Sequence, residues 1–329
     1  MTRFDVVALG NALVDVLAYE DDAFVIRAGI ERGTMTMVDA KRSDEIYAEM
    51  GPAREVSGGS AANTAAGLAS FGGRAAYLGR VADDTFGKVF AHDLRSIGVH
   101  FESPAATDGV PTGRCLVIVT PDAERSMCTY LGASNQLGPE IVDEAVVAGA
   151  AVTYLEGYLW DEPQAKDAIR RAAELAHRAD RRVALTLSDP FCVERHRDEF
   201  LALVEAEIDI LFANEVEITS LYQTDSFDAA LQRVRGHCEI AALTRGPHGS
   251  VIVRGDEVHV IDADPVEHVA DTTGAGDLYA AGFLYGFTRD LPLGTCGKLA
   301  SLAAGEVISH LGARPEQTLA ELARPLLGA

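Results

Sequence analysis

A glycine-rich turn in the last quarter of the chain combines a backbone suited to binding an anion with a carboxylate suited to accepting a proton. The turn covers residues 271–277 (DTTGAGD) and precedes an apolar helical pattern over residues 275–288. Its two glycines, on either side of Ala275, let backbone amides converge where a helix begins and directs its positive end. The carboxylate of Asp277 could accept a proton from a hydroxyl group that attacks a bound phosphate. The turn therefore predicts phosphoryl transfer, and an aspartate that only caps the helix is the alternative.

The position of Asp277 at a helix N-terminus predicts a lowered pKa, because the positive end of the helix favours the charged carboxylate. A lowered pKa makes a weak base. Phosphoryl transfer tolerates a weak base, because its transition state is loose and depends more on positioning and charge neutralisation than on proton abstraction.

Two further polar segments follow predicted strands. Asn214 and Glu217 come after the strand predicted over residues 208–213, and residues 244–249 come after the one predicted over 240–243. Parallel α/β sheets expose their ligand sites at the carboxyl ends of the strands. Both segments are therefore candidates for ligand contacts, with a solvated helix start and a plain β-turn as the respective alternatives.

The elements that must position these residues alternate between strand and helix patterns from about residue 150 onward. This alternation predicts crossover units and a parallel sheet covered by helices on both faces. The patterns are strands over 183–187, 208–213, 240–244, 250–254 and 257–261, and helices over 198–207, 227–237, 275–288 and 295–310.

Two segments in the first half do not follow this alternation. Residues 14–39 and 112–130 are rich in alternating or β-type side chains without a helix close behind them. We expect them to form a small second sheet, inserted in the main α/β domain and acting as a hinged lid. No linker-like stretch divides the chain, so residues 1–329 are predicted to form a single domain. The exposed edge of such a lid would close over the substrate or pair with a second subunit, so a monomer and a homodimer are both expected alternatives.

The composition excludes several functional classes. Hydrophobic residues make up 48% of the 329 residues and charged residues 24%, as in ordinary globular proteins. The formal net charge of −22 disfavours nucleic acid and anionic membranes as partners and favours a neutral acceptor. The five cysteines are dispersed, which predicts reduced thiols, and neither an export signal nor a membrane span is apparent. The chain is therefore predicted to act in the cytoplasm on a small molecule.

The glycine-rich turn resembles the signature of the ribokinase, or pfkB, family of carbohydrate kinases. A second stretch in the expected order, residues 58–63 (GGSAAN) followed by 83–87 (DDTFG), is also similar to that family. Further similarity at residues 214–217 and 244–249 extends the resemblance over almost the whole chain. The resemblance implies an α/β ribokinase-like fold, with a central, mostly parallel sheet flanked by helices and a small β-sheet lid. It also implies an ATP-dependent kinase.

The resemblance assigns roles to the residues already singled out. Asp277 is implied to be the catalytic base, and the amides of the turn to stabilise the moving phosphoryl group. Asn214 and Glu217 are implied to organise phosphate and Mg²⁺, the latter through water, and hard oxygen ligands suit this ion. The loop after the 240–243 strand is implied to contact ATP. A monovalent cation such as K⁺ is suggested near Asp271 and Thr273. The residues concerned in the turn and the loop are Gly274, Ala275, Gly276, Thr244, Gly246 and Gly249.

The same resemblance implies an acceptor site. Asn11 and Asp15 follow the strand predicted over 5–9 and, with Gly59 and Asn63, are implied to bind ring hydroxyls, which both donate and accept hydrogen bonds. Without the resemblance, Asp15 would be interpreted as a turn residue at a strand end.

Several short segments resemble the adenosine kinase branch more than ribokinases or fructokinases, including 111–115 (PTGRC) and 187–191 (LSDPF). Phe191 matches an aromatic position that lines the base pocket, although a core phenylalanine is the alternative. Leu159 stands where the branch has an aromatic residue, so Tyr158, Trp160 or Met37 would have to cover the base. Adenosine is therefore the expected acceptor. The alternatives are a free sugar such as ribose or fructose, and a ligand-binding homologue without turnover.

Overall fold

The computed structural model describes residues 2–122 and 124–328, which form thirteen strands in two sheets. The strands are β1 Phe4–Leu9, β2 Leu13–Tyr19, β3 Met35–Met37, β4 Ala53–Gly58, β5 Ala75–Leu78, β6 Thr112–Val119, β7 Arg125–Gly132, β8 Ala150–Glu156, β9 Arg182–Thr186, β10 Ile210–Asn214, β11 Ile240–Thr244, β12 Ser250–Arg254 and β13 Glu257–Ile261.

The larger sheet has eight strands in the order β13-β12-β11-β10-β9-β8-β1-β5. All neighbours from β11 to β5 pair in parallel, whereas β12 pairs antiparallel with both β11 and β13. Its central strands are short, continuous apolar runs, as expected of a sheet buried on both faces. The mostly parallel central sheet predicted from the sequence is therefore confirmed.

Helices connect the strands and cover the sheets. They are α1 Asp22–Arg27, α2 Ala40–Glu49, α3 Ser60–Ser70, α4 Thr85–Ser96, α5 Glu144–Ala148, α6 Pro163–Arg178, α7 Pro190–Ala206, α8 Glu215–Tyr222, α9 Phe227–Val234, α10 Ala275–Phe287, α11 Leu293–Ile308, α12 Leu319–Leu322 and α13 Arg324–Leu327. Short 3₁₀ helices cover Ala133–Gln136, Pro139–Ile141, Gly157–Asp161 and Gly246–His248. In the part of the chain that the structure describes, no helix has the length and apolar character needed to cross a membrane.

One predicted helix has a different start. The pattern over 198–207 belongs to α7, which begins at Pro190. Asp189 caps this helix by accepting a hydrogen bond from the Cys192 amide. Proline suits the first helical position because an N–H group there would have no acceptor within the helix. The cap and the proline extend the helix beyond its apolar pattern.

Two hydrophobic cores lie on opposite faces of the large sheet. Helices α5 to α9 pack on one face, around buried side chains such as Trp160 and Phe200. Helices α3, α10 and α11 pack on the other face, around side chains such as Phe283 and Leu284. The sheet is thus the middle layer of three, and its strand ends are the part of it that remains open to ligands.

The smaller sheet has five strands in the order β3-β7-β6-β2-β4. Four of them fall in or near residues 14–39 and 112–130, where strands were predicted, but residues 22–27 form α1 rather than a strand. The fifth strand, β4, was not predicted. It joins the sheet by antiparallel pairing with β2.

The two faces of the smaller sheet have different neighbours. Because side chains alternate along a strand, Val14 and Val16 point to one face and Leu13 and Leu17 to the other. Val14 and Val16 belong to the core formed with α1, α2 and α4, whereas Leu13 and Leu17 line a cavity. The smaller sheet therefore presents one face to the ligand region, as a lid would.

Candidate active site

A cavity of about 1190 Å³ lies between the smaller sheet and the carboxyl ends of the large sheet. Neighbouring strands contribute residues at their ends, among them Asn11 after β1, Glu156 on β8, Asn214 on β10 and Thr244 on β11. The turn before α10 completes the wall. The volume exceeds that of most sites for one small molecule and is sufficient for two ligands side by side.

The carboxylate of Asp277 lies at this wall, in the first turn of α10. It accepts a 2.6 Å hydrogen bond from the Ser60 hydroxyl and a 3.0 Å hydrogen bond from the Asn63 side-chain amide. Both donors belong to the first turn of α3. The two helix starts therefore meet at one carboxylate, whose orientation they fix.

The pKa of Asp277 is raised above its usual value, mainly because burial penalises the charged carboxylate. The hydrogen bonds from Ser60 and Asn63 and the positive charge of Arg314 act in the opposite direction without cancelling the effect of burial. The lowered pKa predicted from the helix terminus is therefore wrong. Asp277 is a stronger base than its position in the sequence indicates.

The turn itself is suited to binding an anion. Gly274 adopts a left-handed conformation with φ 81° at the N-cap of α10, which a residue with a side chain adopts only at a cost. The Ala275 amide already donates to the Thr272 carbonyl at 3.2 Å. The next amides, of Gly276 and Asp277, are among those that a helix start leaves without an intrahelical acceptor. Of the three amides predicted to bind phosphate, that of Ala275 thus has a partner within the turn.

Asp271 anchors the turn from its other end. Its carboxylate accepts hydrogen bonds from the Thr273 amide at 3.0 Å, the Thr273 hydroxyl at 2.8 Å and the Gly312 amide at 3.0 Å. It also forms a 2.7 Å ion pair with Arg125 of β7. The guanidinium supplies positive charge at the place where a monovalent cation was suggested, and the cation itself stays a prediction.

Two more carboxylates lie in the same cavity, on Asp15 and Glu156. Burial raises the pKa of Asp15 to about 6, against the lowering effect of the Arg314 and Arg125 charges. Burial likewise raises the pKa of Glu156 to about 7, although Glu156 accepts 2.9 Å hydrogen bonds from the Ala61 amide and the Asn11 side chain. These carboxylates can accept hydrogen bonds from a polyol held beside Asn11.

Asn214 and Glu217 begin α8 as a reciprocal cap. The Asn214 side chain accepts a 2.8 Å hydrogen bond from the Glu217 amide, and Glu217 accepts a 2.9 Å bond from the Asn214 amide. Glu217 is buried rather than solvated, and burial raises its pKa to about 7. In residues 2–122 and 124–328, no cluster of three or more metal-binding side chains is present. A hard cation here would therefore need oxygen ligands from water or phosphate besides Glu217.

The loop after β11 only partly lies at the cavity. Thr244 lines the wall, whereas Gly246 and Gly249 are not among the lining residues. Gly249 has φ 75° and packs so closely on the main chain at Ile261 that a side chain would collide with it. This contact is enough to require glycine at position 249, and the contacts of Gly246 and Gly249 with ATP stay predictions.

The side chains considered for the base pocket divide into those that line the cavity and those that are buried in the core. Phe191 is 71% exposed and lines the cavity, so the alternative of a core phenylalanine is wrong. Met37, which is 52% exposed, and Tyr158 line it as well. Leu159 and Trp160 are buried in the core beside α6 and α7. Of the candidates to replace an aromatic residue at position 159, Tyr158 and Met37 reach the cavity and Trp160 does not.

The polar residues of the site that were not predicted include Ser60, Arg125, Glu156 and Arg314. Ser60 lies within the 58–63 motif, so its proximity to Asn63 was a usable signal. The other three have no local motif, because their partners are distant in sequence; Glu156, for example, is 145 positions from Asn11.

Comparisons with known proteins give consistent results. The profile of the pfkB family carbohydrate kinases matches residues 34–319. The solved structure of an adenosine kinase from Sinorhizobium meliloti is 53% identical, with a TM-score of 0.91 over 98% of this chain and 99% of that one. That of a probable sugar kinase from Rhizobium etli is 52% identical, with a TM-score of 0.92 over 99% of both chains. An adenosine kinase of Saccharomyces cerevisiae is 28% identical over 93% of this chain and 95% of its own length.

Proposed function

The chain belongs to the pfkB family of carbohydrate kinases, and from this membership we propose that it transfers the γ-phosphoryl group of ATP to a primary hydroxyl of adenosine, giving AMP. Its fold is the ribokinase-like α/β fold, and its relatives are kinases with hydroxyl acceptors. Kinases of this family use ATP, generally with Mg²⁺. The acceptor and the roles of individual residues are the proposed part.

The observation that carries the proposal is the carboxylate of Asp277, buried between two helix starts and fixed by Ser60 and Asn63. In the proposed reaction, the acceptor oxygen bonds to the γ-phosphorus while its O–H proton passes to Asp277. The bond from the γ-phosphorus to the β,γ-bridging oxygen breaks, and its electron pair leaves with ADP. The raised pKa of Asp277 brings this base closer to the operating pH, where proton acceptance is more effective.

The phosphoryl group would be bound by the turn and by Arg125. The amides of Gly276 and Asp277 lie at the helix start, where negative charge is favoured. Among the described residues, the buried Arg125 Nε and Nη2 atoms have no hydrogen-bond acceptor. Because unpaired buried donors are costly, they favour an anionic group in the cavity. Together these donors would stabilise charge on the transferring group.

The protein supplies only part of the ligands that Mg²⁺ needs, so the ion would be bound mainly by water and phosphate oxygens. Glu217 would hold it through water, next to Asn214, since the carboxylate oxygens of Glu217 already accept hydrogen bonds from Asn214. When bound, the ion neutralises charge on the ATP phosphates. Thr244 would contact the nucleotide from the neighbouring strand end.

The acceptor ribose is proposed to lie beside Asn11, Asp15, Gly59 and Asn63, which line the cavity next to Asp277. In the part of the chain that the structure describes, the buried Asn63 Oδ1 atom has no donor partner. A ribose hydroxyl can supply that missing hydrogen bond.

The purine is proposed to lie against Phe191, Tyr158 and Met37. An exposed phenylalanine at a cavity wall offers a flat apolar surface, and purines bind such surfaces by stacking. The smaller sheet, with Met37 on its edge strand β3, is proposed to close over the acceptor as a lid. A dimer formed through this sheet is the competing arrangement, and light scattering that reports a monomer would exclude it.

A free sugar such as ribose or fructose is the second candidate, favoured by the 52% identity to a probable sugar kinase. The residues beside Asp277 could serve either acceptor. The test is to measure ATP consumption with adenosine, other nucleosides, ribose and fructose, and to compare kcat/KM values. We expect adenosine to give the highest value. A higher value for a pentose or ketose would overturn the proposed acceptor, and absence of turnover with every acceptor would overturn the kinase activity.

A further inference from the structure

The segment after α11 packs directly on the phosphate-binding turn. The Gly312 amide donates a 3.0 Å hydrogen bond to Asp271, and a Cβ atom on Gly274 would approach Ala313 to 2.8 Å. Glu306 holds the segment in place by accepting hydrogen bonds from the Glu316 amide at 2.9 Å and the Gln317 amide at 2.8 Å. The next residue after Ala313 is therefore delivered to the cavity by a fixed backbone.

That residue is Arg314, whose guanidinium group lies at the cavity wall. Its Nη1 donates to the Ala62 carbonyl at 2.8 Å, and its Nη2 donates to the Ser57 carbonyl at 2.8 Å and the Ser57 hydroxyl at 2.9 Å. Its Nε donates to the Ser57 carbonyl at 3.2 Å. No carboxylate among the described residues forms an ion pair with it, although its side chain is half-buried.

These hydrogen bonds connect the lid to the catalytic base. Ser57 belongs to β4 of the smaller sheet and is held from the other side by Asp93, which accepts a 2.8 Å bond from the Ser57 amide. Ala62 lies in the first turns of α3, between Ser60 and Asn63. Arg314 therefore joins the smaller sheet to the helix that fixes the carboxylate of Asp277.

We propose that Arg314 is a positioning residue for phosphoryl transfer: it ties β4 to the start of α3 and brings a positive charge to the cavity wall that Asp15 and Asp277 also line. Its catalytic consequence rests on the kinase activity proposed above. Arginine suits the task because its planar group makes several fixed hydrogen bonds and stays charged when buried.

The electrostatic part of the proposal has support from the surrounding groups. The charge of Arg314 lowers the pKa of both Asp15 and Asp277, against the larger raising effect of burial. The pKa of Arg314 is itself lowered by burial, and Asp93, Asp15 and Asp277 oppose that effect. The other charged or titratable groups that act on Asp15 or Asp277, or are acted on by them, are Arg125, Cys115, Tyr154, Glu156, Tyr158 and Glu217. Arg314 and Arg125 are the cations in this set.

The test compares Arg314→Met, which removes the charge, with Arg314→Lys, which retains it. Arg324→Met, at an exposed arginine of α13, is the matched control. We expect Arg314→Met to lower kcat roughly 10²-fold with a smaller change in the KM for ATP. Because loss of the cation makes Asp277 harder to ionise, the acid limb of the pH profile of kcat/KM should move to higher pH. Arg314→Lys should restore the pH at which the acid limb lies, but only part of the kcat. An unmoved limb in a folded Arg314→Met protein would refute the proposal.

A second measurement does not depend on turnover. Without Arg314, Asp15 and Asp277 lose protons less readily in the folded state, so the folded state should lose more stability as pH rises. The difference in Tm between the unmodified protein and Arg314→Met should therefore be larger at pH 8 than at pH 5, and smaller again for Arg314→Lys. A difference independent of pH would contradict the charge role, whatever the activity. If the unmodified protein phosphorylates no acceptor, the kinase proposal fails while this measurement still decides the role of Arg314.

Discussion

Asn63 and Asp277 lie 214 positions apart and are joined by a 3.0 Å hydrogen bond from the amide to the carboxylate. Asn63 belongs to α3, and Asp277 belongs to α10, which packs against it. The base of the proposed reaction is thus held by a helix other than its own. Its position and its protonation can therefore be altered by substitutions outside its own helix.

Asp277→Asn should abolish ATP consumption with every acceptor while nucleotide binding is largely retained, because asparagine keeps the shape but cannot accept the proton. Steady-state turnover and calorimetric ATP binding measure the two effects. Asp290→Asn is the matched control: residue 290 is exposed after α10, and its positive φ of 54° is one that asparagine adopts readily. Unchanged turnover in Asp277→Asn would refute the assignment of the base.

Ser60→Ala should move the acid limb of kcat/KM to higher pH. The Ser60 hydroxyl stabilises the ionised carboxylate of Asp277, so its loss raises the pKa of that carboxylate further. We also expect kcat to fall roughly tenfold from the loss of orientation. Ser96→Ala, at the exposed end of α4, should leave the profile unchanged. A Ser60→Ala profile that coincides with that control would show that the bond has no influence on the base.

Gly276→Ala should weaken ATP binding without a change in stability, whereas Gly274→Ala should lower stability. A Cβ on Gly276 meets nothing within 4 Å, so alanine there is tolerated by the fold but adds a methyl group at the amides proposed to bind phosphate. We expect an unchanged Tm and a KM for ATP at least about tenfold higher. A Cβ on Gly274 would come within 2.8 Å of Ala313 in a left-handed conformation. That variant should lose roughly 1–3 kcal/mol of unfolding free energy. Thermal melts and ATP titrations distinguish the two outcomes.

Phe191→Ala should separate nucleoside from sugar acceptors. If the purine stacks on this exposed ring, the KM for adenosine should rise about 10- to 100-fold, while a free pentose, which has no base, should be unaffected. Val260→Ala, at an equally exposed apolar residue of β13, is the control. Equal losses for both kinds of acceptor would indicate that Phe191 does not contact a base.

The protein should become less stable as pH rises from about 4.5 through 7. Burial raises the pKa of Glu156 and of Glu217 from 4.5 to about 7, so the folded state holds protons that the unfolded chain has released. These two groups therefore stabilise the folded state below pH 4.5, and this contribution is lost as pH rises to about 7. The contribution of each carboxylate to the free energy of unfolding is on the order of 3 kcal/mol. Glu156→Gln should flatten this dependence in urea melts across the range. A slope identical to that of the unmodified protein would exclude the buried proton on Glu156.

The strands of the main sheet can be predicted from the sequence because each has a local pattern of its own. Residues 240–244, 250–254 and 257–261 are short apolar or alternating runs bounded by turn residues, and the strands occupy those ranges. The strand β4 was missed because its first residues are polar and exposed and show no alternation of their own. Its conformation comes from pairing with β2, which the local sequence does not encode.

The candidate site was predictable where a backbone conformation demands particular residue types. The turn over residues 271–277 needs glycine at Gly274, and this requirement is visible in the sequence. Glu156, Arg125 and Arg314 have no such local requirement, since each is defined by partners far along the chain. For the same reason the pKa of Asp277 was predicted with the wrong sign, because burial depends on packing that a helix terminus alone does not reveal.

The contacts of Arg314 with β4 and α3 also bear on how the protein matures during translation. The two helix starts that meet at Asp277 are separated by most of the central sheet in chain order, and Arg314, which joins β4 to the start of α3, comes later still. A nascent chain can therefore pack its early strands long before it can hold a substrate. Ligands that stabilise the finished enzyme would give no protection to the chain on the ribosome until residue 314 has emerged.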